Sequence, residues 1–287
     1  MKIAVLGPQG TFSDKAYLQY AETYKERNNT QQLEPIYFPS IDEVFAAVDC
    51  DDENKCDIGI APIENTLDGY VMRTVDLLYE KEVEILEQNL VTVQFSAVGN
   101  IDKAEDIKKL YVQFKAKGQC REFVSSLNNV AIYTTESNME SYYNIKNEFG
   151  EAAIVPKHIA DLEKEMFKID NVTDSDSNYT RFIVFKRKTS SIPMLSKELY
   201  NCEKIRISMF ITPKMDRPGV LCDILQPFYE KEINLVSIMS RPTRKEMGTY
   251  NFYVEIEMLE ENLDVLFDSL KEIKIESNIK LLGIYNE

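Results

Sequence analysis

Asn178-Tyr179-Thr180-Arg181-Phe182-Ile183-Val184-Phe185 runs from a polar turn into four consecutive apolar residues, the composition of a buried strand. Two more polar turns stand upstream, Gly7-Pro8-Gln9-Gly10-Thr11-Phe12-Ser13 and Pro62-Ile63-Glu64-Asn65-Thr66. The second and third turns together supply a carboxylate, an amide, a hydroxyl and a guanidinium at strand ends. That set suits a small anionic substrate that must lose a hydroxyl group.

Around these turns, the region up to residue 187 alternates strand and helix. Apolar runs at 3–6, 57–61, 90–98, 110–112, 130–133, 152–155 and 182–185 read as strands. Tyr17, Tyr20, Ala21 and Tyr24 fall on one helical face, and Ser40 with Glu43 forms a capping-box pattern ahead of Val44, Phe45 and Val48. Val71, Val75 and Leu78 mark another helix. This alternation predicts a largely parallel α/β sheet arrangement, with ligands bound beyond the carboxyl ends of strands. The turns at 7–13 and 64–69 are each expected to lead into a helix, whose first amides attract anions. Ser13 or Asp14, and Asn65 or Thr66, equally suit plain helix caps.

The last third changes rhythm. Ile205, Ile207, Met209 and Ile211 alternate with polar residues, then Pro218 opens a helix carrying Val220, Leu221, Ile224, Leu225 and Phe228. Pro227 predicts an end or kink in that helix. Strands at 233–239 and 250–258, a helix through Leu263, Leu266, Phe267 and Leu270, and a strand at 279–285 complete a βαββαβ order, the ferredoxin-like motif. Such a sheet leaves edges and one face open, so self-association is expected. The polar stretch 188–203 reads as a linker between a region 1–187 and a module 204–287.

The 287 residues allow one large or two ordinary domains, and the 44% hydrophobic share is enough for real cores. A formal charge of −15 argues against nucleic acid or an anionic membrane as the main partner. An anionic substrate therefore needs a local cationic or amide-lined pocket. No stretch approaches the roughly 18–20 apolar residues of a membrane span, and the first apolar run is too short for a signal peptide, so a cytoplasmic location is expected. Cys50, Cys56, Cys120, Cys202 and Cys222 form no Cys-x-x-Cys pair and read as reduced thiols. His158 is the only histidine, which excludes a His-based triad or a histidine-rich metal site. No metal is expected, since no ligand cluster suggests one, and no cofactor, since the glycines near residue 7 lack the Gly-x-Gly-x-x-Gly spacing.

The three turns resemble signatures of the prephenate dehydratase family, which turns prephenate into phenylpyruvate, and the likeness covers nearly the whole chain. The tail, with Arg217-Pro218-Gly219-Val220-Leu221 and Ser240-Arg241-Pro242, is similar to an ACT domain, the phenylalanine-sensing module of that family. The resemblance implies a two-lobed catalytic region like type 2 periplasmic binding proteins, with the site in the cleft. It is to a monofunctional form, without a chorismate mutase segment. Three positions depart from the pattern: Val112 stands for a serine, Ser137-Asn138-Met139 for a Ser-Thr-Ala turn, and Met239 for a glutamate.

Carried over by motif, Thr180 is the residue most tied to catalysis, with Glu64, Asn65 and Gln119 as active-site polar groups. Thr180 would donate to the departing oxygen, and Glu64 would supply a proton if burial raised its pKa. Arg181 would hold a carboxylate, or else pair with Asp174 or Asp176. Thr11, Ser13 and Thr66 join it as substrate-binding candidates. Gly219, Val220, Leu221, Asn234, Leu235, Ser240 and Arg241 are the candidates for binding phenylalanine as effector, between paired modules of a homodimer or homotetramer. A non-catalytic sensor of aromatic amino or keto acids, and an arogenate dehydratase, are the alternative readings.

Overall fold

The computed structural model describes residues 1–27, 33–51, 55–146, 148–189, 204–243 and 249–286. The first lobe is built from β1 (Lys2–Leu6), α1 (Phe12–Arg27), β2 (Glu34–Phe38), α2 (Ile41–Val48), β3 (Ile58–Asn65), β4 (Gly69–Tyr70), α3 (Met72–Glu80) and β5 (Val83–Thr92). The chain then crosses into a second lobe of β6 (Phe95–Gly99), β7 (Lys109–Gln113), α4 (Phe114–Gln119), α5 (Arg121–Ser126), β8 (Ala131–Thr135), α6 (Asn138–Tyr143), β9 (Glu151–Pro156), α7 (Lys157–Ala160) and β10 (Phe167–Ile169). It returns through β11 (Tyr179–Arg187) to the sheet it left.

The two lobes share one topology. The first sheet runs β2-β1-β3-β11-β5 and the second β8-β7-β9-β6-β10. In each, three parallel strands are followed by an antiparallel strand arriving from the other lobe and then an edge strand. This is a two-lobed arrangement in which one strand order occurs twice. The crossing strands lie inside their sheets, so both read as continuous apolar runs: every residue of β6 is buried, as are Phe182–Phe185 of β11.

The run 90–98, expected as one strand, is two. Val91 packs in the first lobe, whereas Val93 and Phe95 pack in the second. Hydropathy stays high across the break because the chain leaves one core and enters another. Both sheets are mixed rather than largely parallel for the same reason: each admits a returning strand.

β12 (Lys204–Pro213), α8 (Val220–Glu230), β13 (Leu235–Pro242), β14 (Tyr250–Leu259), α9 (Leu263–Ile273) and β15 (Ser277–Asn286) form the βαββαβ module, an antiparallel sheet ordered β13-β14-β12-β15. Ile207, Ile224, Phe228, Val254 and Leu266 fill the core between sheet and helices. Pro227 does not stop α8, which continues to Glu230 and carries Phe228 into that core. Pro218 lies just ahead of the helix, whose N-cap is Gly219 at φ 87°.

The second face of this sheet is not open, as had been expected. Phe210, Tyr253, Leu282 and Tyr285 join Phe45, Val75, Leu78, Ile85 and Phe185 of the first lobe in one continuous core. Gly283 permits the closest approach, since a Cβ there would stand 2.4 Å from the Ile85 carbonyl oxygen. From residue 190 onward, the stretch read as a linker lies outside the described residues, as does Cys202.

Candidate active site

A cleft of about 580 Å³ opens between the two lobes. Gly7, Pro8, Thr11 and Phe12 come from the first polar turn, Pro62 and Asn65 from the second, and Thr180 from the third; Gln113, Lys115, Gln119, Ser137 and Asn138 face them from the second lobe. The three turns thus share one cavity. Leu6, Phe12, Ile41, Val93 and Phe95 give it apolar walls wide enough for a ring.

Asn65 organises the first-lobe side. β3 and β11 pair so that Asn65 stands opposite Thr180. The Asn65 Oδ1 accepts from the amides of Leu67 (2.9 Å) and Asp68 (3.0 Å), which closes a tight turn into β4. Its Nδ2 donates to Thr180 Oγ1 (2.9 Å), Asn178 Oδ1 (2.9 Å) and the Tyr179 carbonyl (3.0 Å). Asn178 in turn donates to Gln119 Oε1 at 3.0 Å, tying α4 of the second lobe to the same network. The expected helix start at 64–69 is therefore a hairpin. α3 begins only at Met72 and has no side-chain cap. Thr66 faces away from the cleft and staples the crossing strand, donating to the Ser177 carbonyl and accepting from the Tyr179 amide, both at 3.0 Å.

At the first turn, Thr11 rather than Ser13 or Asp14 caps α1, its Oγ1 accepting from the Asp14 amide at 3.3 Å. The start of this 16-residue helix forms a cleft wall and presents the positive end of its dipole there. Ser13 is buried in the helix and does not line the cleft. The Asp14 carboxylate accepts from the Gly10 amide (2.8 Å) and the Tyr37 hydroxyl. Across the lobe boundary, His158 Nε2 donates to the Gly10 carbonyl at 3.1 Å. Burial, helped by nearby Lys15, holds the His158 pKa below its ordinary value.

Glu64 and Arg181 are neighbours of Asn65 and Thr180, and they face the other way, because successive strand residues alternate faces. Arg181 Nε and Nη2 donate to Glu64 Oε2 at 3.1 and 2.8 Å, beneath the sheet and out of the cleft. The guanidinium also holds Glu255 of the βαββαβ module. Neither residue lines the cleft. Asp174, an alternative partner for Arg181, instead accepts the amides of Arg121 and Glu122 at the start of α5.

Three residues of the cleft and its supporting network were not named as site residues from the sequence. Asn178 is fully buried at the hub of the polar network. Lys115 is the one cationic side chain lining the cleft among the described residues. Asn138 has a buried Oδ1 with no hydrogen-bond partner among the described residues. Asn178 lay within the quoted motif, and the period-2 rule points Asn178 and Thr180 to one face and Arg181 to the other. Lys115 sits two residues past β7 in the first turn of α4, and no motif marks it. The departures from the family pattern also find places. Val112 is buried in the second-lobe core, and Ser137 caps α6 by accepting from the Glu140 amide at 3.0 Å. Met239 packs against the core shared with the first lobe.

The effector candidates do not converge within one chain. Gly219, Val220 and Leu221 stand at the start of α8; Asn234 and Leu235 follow its far end, about 16 Å away for an eleven-residue helix. Ser240 is exposed. The Arg241 guanidinium is occupied by Asp76 of α3, with Nε and Nη2 donating at 2.8 and 2.9 Å.

Fold and site define a two-lobed α/β cleft enzyme with a βαββαβ module docked beside the cleft. The description "Prephenate dehydratase" belongs to the family model that matches residues 3–190, and an ACT domain model matches residues 215–266. The chain is 31% identical over 281 residues to a prephenate dehydratase of Methanocaldococcus jannaschii, covering 97% of this chain and 95% of that one. The crystal structure of the prephenate dehydratase from Staphylococcus aureus Mu50 superposes with a TM-score of 0.80 at 28% identity, covering both chains fully. That of the Arthrobacter aurescens enzyme in complex with L-Phe shares the fold, with a TM-score of 0.81 at 24% identity over 100% of this chain and 90% of that one. The chain belongs to the prephenate dehydratase family, and its role is the dehydration of prephenate.

Proposed function

We propose that the cleft carries out this reaction as a carbon–oxygen lyase, with Thr180 at the departing hydroxyl. The observation that carries the reading is the Asn65–Thr180 hydrogen bond. Thr180 Oγ1 accepts from Asn65, so its own hydrogen is free to point into the cleft. As the ring carboxylate leaves as carbon dioxide, its bonding pair passes through the ring and the C–O bond breaks. The hydroxyl departs with the C–O bonding pair and takes a proton from solvent, by way of the Thr180 hydroxyl, to become water. Aromatisation supplies the drive, and an oriented donor at the leaving oxygen lowers the barrier. Asn138 Oδ1 and Gln119 orient the substrate. Lys115 and the first turn of α1 hold its negative charge, inside a protein whose net charge is −15.

Phenylalanine, the ligand of the Arthrobacter relative, is proposed as the feedback effector here, bound between ACT modules of a homo-oligomer. The exposed Val236 and Ile238 on β13, the edge strand of the sheet, support such pairing. A catalytic region through residue 187, a linker to 203 and a cytoplasmic setting complete this reading. Among the described residues no helix is long and apolar enough to cross a membrane. Incubating purified protein with prephenate at neutral pH, with and without phenylalanine, tests the proposal. Phenylpyruvate should accumulate, and phenylalanine should slow it. No product with prephenate would refute the catalytic reading.

A further inference from the structure

Thr180 and Arg181 are adjacent on β11 but belong to different environments. Thr180 faces the cleft, while Arg181 is only 6% exposed and lies where the ACT sheet meets the first lobe. Its Nη1 and Nη2 donate to Glu255 Oε1 and Oε2 at 2.9 and 2.8 Å, a bidentate pair. Glu255 is 1% exposed and sits on β14, one of the two central strands of the regulatory sheet. It also accepts from the hydroxyls of Tyr253 (2.7 Å), Tyr70 (2.8 Å) and Ser208 (3.2 Å). Tyr70 itself lines the cleft, on the hairpin strand that pairs with Glu64 and Asn65.

One carboxylate of the regulatory module therefore grips β11 next to Thr180 and the β4 strand paired with Asn65. From this we infer that Glu255 is a positioning residue for catalysis: through Arg181 and Tyr70 it fixes β11 and the β3–β4 hairpin, and so transmits the state of the ACT sheet to the Thr180 hydroxyl. The inference rests on the proposed role of Thr180. Burial alone would raise the Glu255 pKa, but the Arg181 charge and the hydrogen bonds outweigh it and hold the carboxylate below its ordinary value. The grip is thus charged at neutral pH. The register shift in β11 between Arg181 and Phe182 sits at this point, where the strand departs from regular pairing.

The test compares Glu255→Gln with Lys280→Met. Lys280 also ties the module to the first lobe, donating to the Tyr79 and Lys81 carbonyls at 2.9 and 2.6 Å, but at the far end of α3. Glu255→Gln should lower kcat at least about tenfold with KM changed less than about threefold, the split of a lost transition-state contact. Amide exchange at residues 64–70 and 178–181 should speed up by about tenfold or more. Lys280→Met should lower the melting temperature without either effect. Tyr253→Phe, which removes one hydrogen bond to Glu255 without unpairing a charge, should give the same pattern at smaller amplitude and serves if Glu255→Gln does not fold. Unchanged kcat and exchange in the folded variants would overturn the inference. If the wild-type protein turns over no prephenate, the catalytic reading fails, and exchange alone decides whether Glu255 positions these strands.

Discussion

The Thr180 hydroxyl has a neighbour that fixes its oxygen and none that takes its hydrogen among the described residues. Thr180→Ala should therefore cut kcat by at least about tenfold while substrate binding, measured separately, changes little. An intact turnover rate in a folded variant would remove Thr180 from the mechanism. Lys115→Met should act on the other parameter. In the proposed role its charge meets the substrate in ground and transition states alike, so KM should rise about tenfold or more with kcat nearly kept. A titration of initial rate against prephenate reads both values. At this scale the motif around residue 180 was legible as a site but not as a geometry. Thr180, Arg181, Glu64 and Asn65 were read as one constellation, whereas strand alternation divides them between the cleft and the domain junction. The rule was available from the sequence once β11 was recognised; the partner across the junction was not, because Glu255 lies 74 residues further along.

Among the elements, the crossing strands carry the arrangement. β6 and β11 each insert antiparallel beside the third parallel strand of a lobe, which brings the start of β11 next to the end of β3. Apolar runs revealed both strands, but the lobe boundary inside 90–98 was hidden because apolar residues continue through it. β2 and β10 were missed as well. No residue of either is fully buried, so neither stands out in hydropathy. The lobes touch at Gly10, at φ +86°, where an added Cβ would stand 2.7 Å from Met139 Sδ and 3.1 Å from Ile159 Cδ1. Gly10→Ala should cost about 1–2 kcal/mol in backbone strain alone, and force the second lobe outward. A melting temperature lower by a few degrees and a raised KM are expected. A variant with wild-type melting and KM would show that this contact does not set the width of the cleft.

On the scale of the whole molecule, three bodies are joined by one shared apolar core and by buried polar contacts, one of which titrates near neutral pH. The ACT module shares its core with the first lobe, something no periodicity could announce, since an alternating strand looks the same whether its second face meets water or another domain. The second lobe is held to the first by the polar network at Asn178 and by the His158–Gly10 hydrogen bond. His158 gives this junction a pH dependence. In the unfolded chain its pKa is about 6.5, and in the fold burial lowers it. Between the folded value and 6.5 the unfolded chain binds more protons, so stability falls as pH drops through that window. Above 6.5 both states hold a neutral ring and the dependence from this residue vanishes. The surrounding charges do not reverse the sign: Lys15 adds to the effect of burial, while Asp14, Asp161 and the Gly10 carbonyl oppose it without overcoming it. Thermal unfolding measured from pH 7.5 down to about 5.5 should therefore show a falling melting temperature in the wild-type protein, and His158→Gln should flatten that slope. Equal slopes in the two proteins would mean that the buried imidazole accepts its proton without strain at the lobe junction, and that the acid sensitivity of the fold resides in its carboxylates.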